Sequence, residues 1–345
     1  MRILHVMAGA TEGGAENIML ESVLALQELD TIEQCVVTRP DNTFRLDQFQ
    51  AAGITTHTAS FDRLIKFPTK SVINKAIAAF KPDVIEYWMG RAGEFAPAKH
   101  RDISIGWYGG YYKLKRFKNC RWHVGLTKDL VRHIHEQGVK HDHIGLIHTM
   151  ADFENATPVD RASLDTPKDA PVALALARLH VKKGLDTLLD ATAKTPGLYV
   201  WIAGDGPIED ELKAQCTALD LDDRVRFLGW RNDRGALLAA CDFVAFPSRY
   251  EPFGTVTVDA WAAQRALVAA DAAGPAAYVK DGENGLLIPK DNVDALATAM
   301  DRVMHEDGLA ATLVAGGTAT YEATFTKRAF QKDSLAFYQK IIERA

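Results

Sequence analysis

Short apolar runs recur along the whole of this chain, and most are followed by a stretch of helical periodicity. Ile3–Ala8, Cys35–Arg39, Ile54–Ala59, Val84–Trp88, Ile103–Trp107, Trp122–Leu126 and Ile144–His148 read as strands. Ile18–Leu26, Phe44–Ala52, Lys70–Phe80, Arg91–Lys99 and Lys128–Gln137 read as the helices among them. Apolar runs with no polar alternation are strands buried on both faces, and strands that alternate with helices build a parallel sheet covered on each side. Residues 151–170 interrupt the pattern: Asp152, Pro158, Asp160, Asp165, Pro167 and Asp169 make this stretch polar and aperiodic, the composition of a linker. A second series then begins. Its strands are Val172–Ala177, Leu198–Ala203, Val225–Leu228, Cys241–Phe246, Leu267–Ala270 and Gly285–Ile288. Its helices are Gly184–Ala193, Ile208–Ala218, Gly235–Ala240 and Val293–Val303, with an amphipathic helix at Phe330–Ile342. The expected fold class is therefore α/β, two doubly wound Rossmann-like domains with a cleft between them. The expected boundaries are 1–155, a linker at 156–170, a second domain at 171–325 and a helix at 326–345. A length of 345 residues suits two domains that each bury a core.

Charge separates the two halves. Residues 1–150 carry 19 Lys and Arg against 16 Asp and Glu, while residues 151–345 carry 21 against 29. The first half thus leans towards an anionic partner, although the whole chain is at −5. That net acidity argues against nucleic acid. No apolar run approaches the ~20 residues of a membrane helix, and Gly9 interrupts the opening run too soon for a signal peptide. Cys35, Cys120, Cys216 and Cys241 are scattered without a C-x-x-C pair, which fits reduced thiols in a cytoplasmic protein better than a metal or disulfide framework.

The segment most suggestive of chemistry runs from Phe246 to Asp259, FPSRYEPFGTVTVD. It leaves a buried strand at Pro247, turns through Glu251-Pro252-Phe253-Gly254, and enters a helix at Thr255. A helix start behind a glycine presents bare N–H groups to an anion. Asp259 lies about 6 Å up that helix from Thr255, the reach from a phosphate to its ribose. Two further strand ends join it: Ala177-Arg178-Leu179-His180-Val181-Lys182-Lys183-Gly184 and Ile202-Ala203-Gly204-Asp205-Gly206-Pro207. Open α/β sheets bind ligands at the carboxyl ends of their strands, where Arg178 and Lys183 suit a pyrophosphate and the glycines admit a ligand close to the backbone. Each segment alone is equally an ordinary surface turn. The first loop, Gly9-Ala10-Thr11-Glu12-Gly13-Gly14, lacks the G-x-G-x-x-G spacing, and strand two ends in Arg39-Pro40 rather than an acid. A nicotinamide dehydrogenase is therefore disfavoured.

Gly13-Gly14-Ala15-Glu16, Arg178…Lys183-Gly184, Gly204-Asp205-Gly206-Pro207, Pro247-Ser248…Glu251-Pro252-Phe253-Gly254…Asp259 and Asp281-Gly282-Glu283-Asn284-Gly285-Leu286 occur in this order. As a set they resemble the retaining glycosyltransferases of the GT-B fold, in the group that includes bacterial enzymes of cell-surface glycan synthesis. The resemblance spans nearly the whole chain. It implies transfer of a hexose, such as mannose or glucose, from a UDP- or GDP-sugar to a glycan or glycolipid acceptor such as a lipopolysaccharide core or an exopolysaccharide. It also implies a terminal helix that crosses back to the first domain. No metal or cofactor is implied, since the cationic pair Arg178 and Lys183 would compensate the charge of the leaving nucleotide. Glu251 matches the acid that contacts the donor sugar, and the backbone of Phe253, Gly254, Thr255 and Val256 matches the segment meeting sugar hydroxyls and phosphate. Asp259 stands where the family usually has Glu, holding the ribose. Gly13 and Gly14 match the loop approaching the pyrophosphate, and Gly204, Asp205 and Gly206 complete the donor set. Many relatives carry a histidine after the strand that ends here near Trp107; this chain reads Gly106-Trp107-Tyr108-Gly109-Gly110, so no general base is named.

On the acceptor side the candidates are Glu16, Arg91, Trp107, Tyr108, Lys113 and Arg116. Two segments mix cations with aromatic or aliphatic residues: Tyr111–Lys118 with Arg121 and Trp122, and Arg63-Leu64-Ile65-Lys66-Phe67 with Lys70. Such surfaces meet anionic lipid headgroups or phosphorylated glycans, so a peripheral position on the inner face of the cytoplasmic membrane is expected. A solvated basic helix explains the same residues. Base recognition is expected near Gly229-Trp230-Arg231-Asn232. A sugar-nucleotide epimerase, a phosphorylase and a non-catalytic nucleotide-sugar binder remain the alternative readings.

Overall fold

The computed structural model describes residues 1–9, 13–153 and 156–345. Ala10, Thr11 and Glu12 of the first glycine-rich loop lie outside the described residues, as do Glu154 and Asn155 at the expected linker boundary. Two compact units divide the chain: Met1–Met150 with Lys327–Ala345, and Ala151–Thr326.

The first unit is built on a parallel sheet of β1 (Arg2–Met7), β2 (Glu33–Thr38), β3 (Thr55–Thr58), β4 (Val84–Trp88), β5 (Ser104–Tyr108), β6 (Trp122–Gly125) and β7 (Ile144–Leu146). Their spatial order is β3-β2-β1-β4-β5-β6-β7, with Ile3 opposite Val84 and Gln34 in the register. The apolar residues of the interior strands are what burial on both faces demands: Leu4, Val6, Val37, Ile85 and Tyr87 are fully buried in one core, whereas the edge strand β3, Thr-Thr-His-Thr, is mostly exposed.

The helix Lys327–Ile342 belongs to this unit. Its Tyr338 hydroxyl donates to Glu86 Oε1 at 2.7 Å, deep in the sheet. Glu86 also lies 2.9 Å from His5 Nδ1, and His5 Nε2 lies 2.9 Å from Gln34 Oε1. Four buried polar side chains from β1, β2, β4 and the returning helix thus gather in one cluster, in which Trp88 Nε1 donates to His5 Nδ1 at 3.3 Å and Glu86 Oε2 has no hydrogen-bond partner among the described residues.

In the second unit β8 (Val172–Leu176), β9 (Tyr199–Ala203), β10 (Val225–Gly229), β11 (Phe243–Phe246), β12 (Ala266–Ala270) and β13 (Leu286–Ile288) form a parallel sheet in the order β10-β9-β8-β11-β12-β13. Ala173, Val200, Ile202, Val268, Leu188, Leu296 and Met300 lie in its core. In both sheets the strand order reverses next to the unit's first strand, between β1 and β4 and between β8 and β11. A doubly wound fold opens its ligand crevice at that reversal.

Three features depart from the sequence reading. The expected helix Arg91–Lys99 is instead a short helix, Met89–Gly93, followed by a 3-10 segment at Ala98–Ile103. Pro97 cannot continue a helix, and the tight approach of Phe117 to Gly93, where a Cβ would stand 2.3 Å from its ring, fixes the short one in place. Residues 156–170 pack on the second unit rather than hanging free: Arg161 donates to Ala170 O, Ala240 O and both oxygens of Asp242. Finally, Leu309–Thr324 is a helix that the periodicity did not reveal.

Candidate active site

The loops after β8 and β11 meet at the strand-order reversal of the second unit. Gly184 makes that meeting physically possible. It sits at φ 64°, and a Cβ there would stand 2.2 Å from Pro247 O, so only glycine allows the two loops to touch. Arg249 N and Tyr250 N then donate to Lys182 O at 2.8 and 3.3 Å. The outcome is an ion pair between Lys183 Nζ and Glu251 Oε1, partners 68 residues apart in sequence. Their side chains are 25% and 11% exposed, so each charge is mostly withdrawn from water and held by the other.

Around this pair the other residues named from the sequence fall into place or out of it. Arg178 is exposed at the end of β8 and makes no hydrogen bond or ion pair with any other described residue. Gly204 (φ 145°) and Gly206 back directly onto the β8 loop; a Cβ at either would stand 2.0 and 2.2 Å from Ala177 O and Leu179 O. Leu179 N donates to Asp205 O at 2.7 Å. Those glycines are therefore spacers between adjacent strand ends. Gly254 (φ 84°) precedes the helix Thr255–Ala262, whose first N–H groups begin at Thr255 and Val256. Phe253 turns its ring into an aromatic cluster with Tyr278 and Phe325 at centroid distances of 5.7 and 6.3 Å, which leaves only its backbone for a ligand. Asp259 is buried beside Arg234, 3.6 Å away. Burial pushes its carboxyl above the usual range, against the pull of the Arg234 guanidinium. In the loop after β10, Trp230 Nε1 donates to Asn232 Oδ1 at 3.1 Å and Arg231 forks onto Asp233.

Two groups at this edge escaped the sequence reading. Arg249 is the structural clamp of the site. It forks onto Asp186 at 2.7 and 2.7 Å, donates to Thr187 Oγ1, and pairs with Asp291. Hydrogen bonding to Asp186 raises its guanidinium further above an already high value; the Asp186 carboxyl, despite burial, is held below the usual range by Arg249. The partners lie 63 and 42 residues away, so only its adjacency to Glu251 could have drawn notice. The buried hydroxyls of Ser248 and Thr257 find no hydrogen-bond partner among the described residues, and such groups call for a water or a ligand.

The corresponding edge of the first unit holds the remaining candidates. Gly13 caps the helix Gly14–Gln27, and the Glu16 carboxylate folds back against Gly9 and Gly13, within 2.3 and 2.2 Å of where their Cβ atoms would be. Glu16 is thereby buried rather than presented to an acceptor. Trp107 and Tyr108 also correct the expectation. Trp107 is stacked on Trp88 at 4.3 Å and 2% exposed, and Tyr108 is fully buried against Phe117 and His123. Both belong to an interior strand of the sheet, so their rings fill the core. Arg91 donates to Phe61 O at 2.5 Å, and burial together with the neighbouring Arg39 and Arg63 lowers its guanidinium from its ordinary value. Met89, two residues before it, holds φ 66°, a strained conformation for a long side chain at the strand-order reversal. Lys113 is exposed, and Arg116 pairs with Glu94 at 2.6 Å. Among the described residues no cluster of His, Cys, Asp and Glu could hold a metal ion.

Residues 157–319 match the family described as glycosyl transferases group 1. The chain is 33% identical over 333 residues to LpsE, a lipopolysaccharide core biosynthesis glycosyltransferase of Rhizobium meliloti (strain 1021), covering 95% of this chain and 96% of that protein. LpsD of the same organism, described in the same words, is 33% identical over 343 residues, covering 99% and 98%. Among solved structures, Anabaena Alr3699/HepE in complex with UDP and glucose superposes with a TM-score of 0.84 at 22% identity, over 98% of this chain and 99% of that one. The lipopolysaccharide outer core galactosyltransferase WaaB, in its apo form, gives 0.72 at 18%, covering 98% and 99%.

Proposed function

This chain belongs to the group 1 glycosyltransferases and has the GT-B fold, and from that membership we propose a retaining, metal-independent hexosyltransferase that uses a UDP- or GDP-sugar to extend a lipopolysaccharide core or related glycolipid. The observation that carries the reading is the Lys183–Glu251 pair at the strand-order reversal, beside an arginine, Arg178, with no partner of its own among the described residues. The relatives' description as lipopolysaccharide core enzymes supports the acceptor class, and the complex of HepE with UDP and glucose supports the donor class.

In this reading an incoming diphosphate competes with Glu251 for Lys183. Arg178, Lys183 and the N–H groups of Thr255 and Val256 take the two phosphates, while Glu251 is released to accept from sugar hydroxyls. Negative charge grows on the diphosphate as the sugar C1–O bond breaks, and fixed cations stabilise that charge more than they stabilise the intact donor. The acceptor oxygen bonds to C1 on the face the nucleotide leaves, and the acceptor proton passes to the departing diphosphate. Asp259, buried beside Arg234, takes the ribose. Gly13 and Gly14, at the head of the helix Gly14–Gln27, offer N–H groups suited to an anion. We place the protein at the inner face of the cytoplasmic membrane; among the described residues no helix is long and apolar enough to cross one.

A panel of UDP-, GDP- and ADP-sugars tests the reading by thermal shift and by slow donor hydrolysis. One nucleotide sugar should raise the melting temperature, and saturation at 100 times Kd corresponds to about 2.7 kcal/mol. If none shifts it and none is hydrolysed, the donor assignment is lost. The anomeric configuration of the transferred sugar, read by NMR, decides between retention and inversion.

A further inference from the structure

Two segments of the first unit mix cations with apolar residues, and the structure treats them in opposite ways. In Tyr111–Trp122 the rings turn inward: Phe117 and Trp122 are fully buried, and Tyr112 packs towards Phe117. In the loop before the helix Phe67–Phe80 they turn outward. Leu64 is 94% exposed, Phe67 81% and Ile65 65%, the three most exposed large apolar side chains among the described residues.

This loop is held in that shape. Phe61 is fully buried, edge-on to Phe95 at 5.3 Å, and its N–H donates to the buried Thr69 hydroxyl at 3.0 Å. Arg91 holds Phe61 O. Between these anchors the Asp62 carboxylate accepts from Leu64 N and Ile65 N, both at 2.7 Å, so the turn that carries the apolar tips is closed by its own hydrogen bonds. Pro68 starts the following helix. A chain that fixes three large apolar side chains in water has a partner for them.

The surroundings identify that partner. Arg63 and Lys70 are exposed on either side of the tips. Glu94 accepts from both Lys66, at 3.4 Å, and Arg116, at 2.6 Å, which brings Arg116 of the inward-packed segment alongside Lys66. Apolar tips this exposed need a medium that deforms around them, and the cations beside them need phosphate. An anionic bilayer supplies both, with long cationic side chains at headgroup level and the tips below.

We propose that Asp62–Phe67 is a membrane-insertion loop: Leu64, Ile65 and Phe67 enter the acyl region of an anionic bilayer while Arg63, Lys66, Lys70 and Arg116 meet its phosphates. The proposal deepens the preceding one, since it rests on an acceptor carried by a lipid. Sedimentation of the full chain with vesicles of phosphatidylglycerol and phosphatidylcholine, against phosphatidylcholine alone, tests it. The wild type should partition onto the anionic vesicles and less onto the neutral ones, with binding that weakens in salt. L64S/I65S/F67S should weaken partitioning more than tenfold while donor hydrolysis in solution is unchanged, and R63E/K70E should remove the preference for anionic lipid. Failure of the wild type to bind anionic vesicles, or equal binding by the triple variant, overturns the proposal. So does a wild-type dimer that the triple variant converts to monomer, because a second copy would then cover the tips. Absence of donor hydrolysis by the wild type, with its binding to anionic vesicles and the loss of that binding in the triple variant both observed, would count against the glycosyl-transfer reading and leave the loop in place.

Discussion

Lys183 and Glu251 neutralise each other in the free protein, so the effects of removing them are not symmetrical. Lys183→Ala leaves a mostly buried carboxylate unpaired and removes a phosphate contact. Donor-induced stabilisation should disappear, and turnover should fall by two orders of magnitude or more, measured by donor hydrolysis and by thermal shift. Arg249→Lys keeps the charge but loses the fork onto Asp186. It should destabilise the fold by about 1–3 kcal/mol in urea melts and weaken donor binding through the displaced β11 loop. Asp259 has an opposite signature. Its carboxyl is raised by burial, so the folded state binds its proton more tightly than the unfolded chain, and ionisation costs stability as pH rises above the ordinary carboxylate range. Asp259→Asn should therefore be neutral or stabilising near pH 8 while weakening donor affinity, with melts and titrations at two pH values separating the effects. At this scale the residues that gather at the strand ends of the second unit were largely nameable from the sequence, because strand ends and glycines mark where a doubly wound sheet is open. The partners were not. Neither Asp186 nor Asp291 carries a local sign that Arg249 will hold it, and nothing near Trp107 or Tyr108 shows that their rings face inward.

Elements were readable where periodicity is strong and obscure where small residues replace it. Most β strands declared themselves through their apolar residues, whereas Leu309–Thr324 is rich in Ala, Gly and Thr and has no apolar stripe. Its place comes from close approach. A Cβ at Gly317 would stand 2.3 Å from the Trp261 ring, and one at Gly316 would stand 2.1 Å from Glu283 O. Gly316→Val should accordingly cost more than about 2 kcal/mol by urea unfolding, since the obstructing atom is backbone and cannot swing aside. The same reasoning applies to Gly184, where an added Cβ meets Pro247 O in a left-handed conformation. Gly184→Ala should part the β8 and β11 loops and lower donor affinity together with stability.

For the whole molecule, the response to mild acid through suppressed histidine protonation belongs to the first unit. Burial, with His143 and Arg101 nearby, lowers the fully packed His123 to about 3, and His100, His143 and His148 are lowered as well, by burial first. An imidazole that resists protonation when folded contributes fully above its unfolded value of about 6.5, and its contribution is lost as pH falls below that. His123 alone should account for about 2 kcal/mol of lost stability between pH 6.5 and pH 5, checked by chemical denaturation across that range; His123→Phe should flatten the dependence. The sequence revealed two domains and a terminal helix, but not that the helix buries a tyrosine hydroxyl against Glu86. That contact has a consequence for biosynthesis. Residues 327–345, which complete the first unit, leave the ribosome only after all of the second. Until then Glu86 lacks its tyrosine and Trp122 lacks the Phe337 ring that meets it edge-on at 5.9 Å. The second unit, contiguous in the chain, can finish folding while the nascent first unit waits with an open seam. Translation order thus makes the half translated first the half completed last, and a released chain truncated near residue 326 would carry a complete second unit beside a first unit that quality control can recognise.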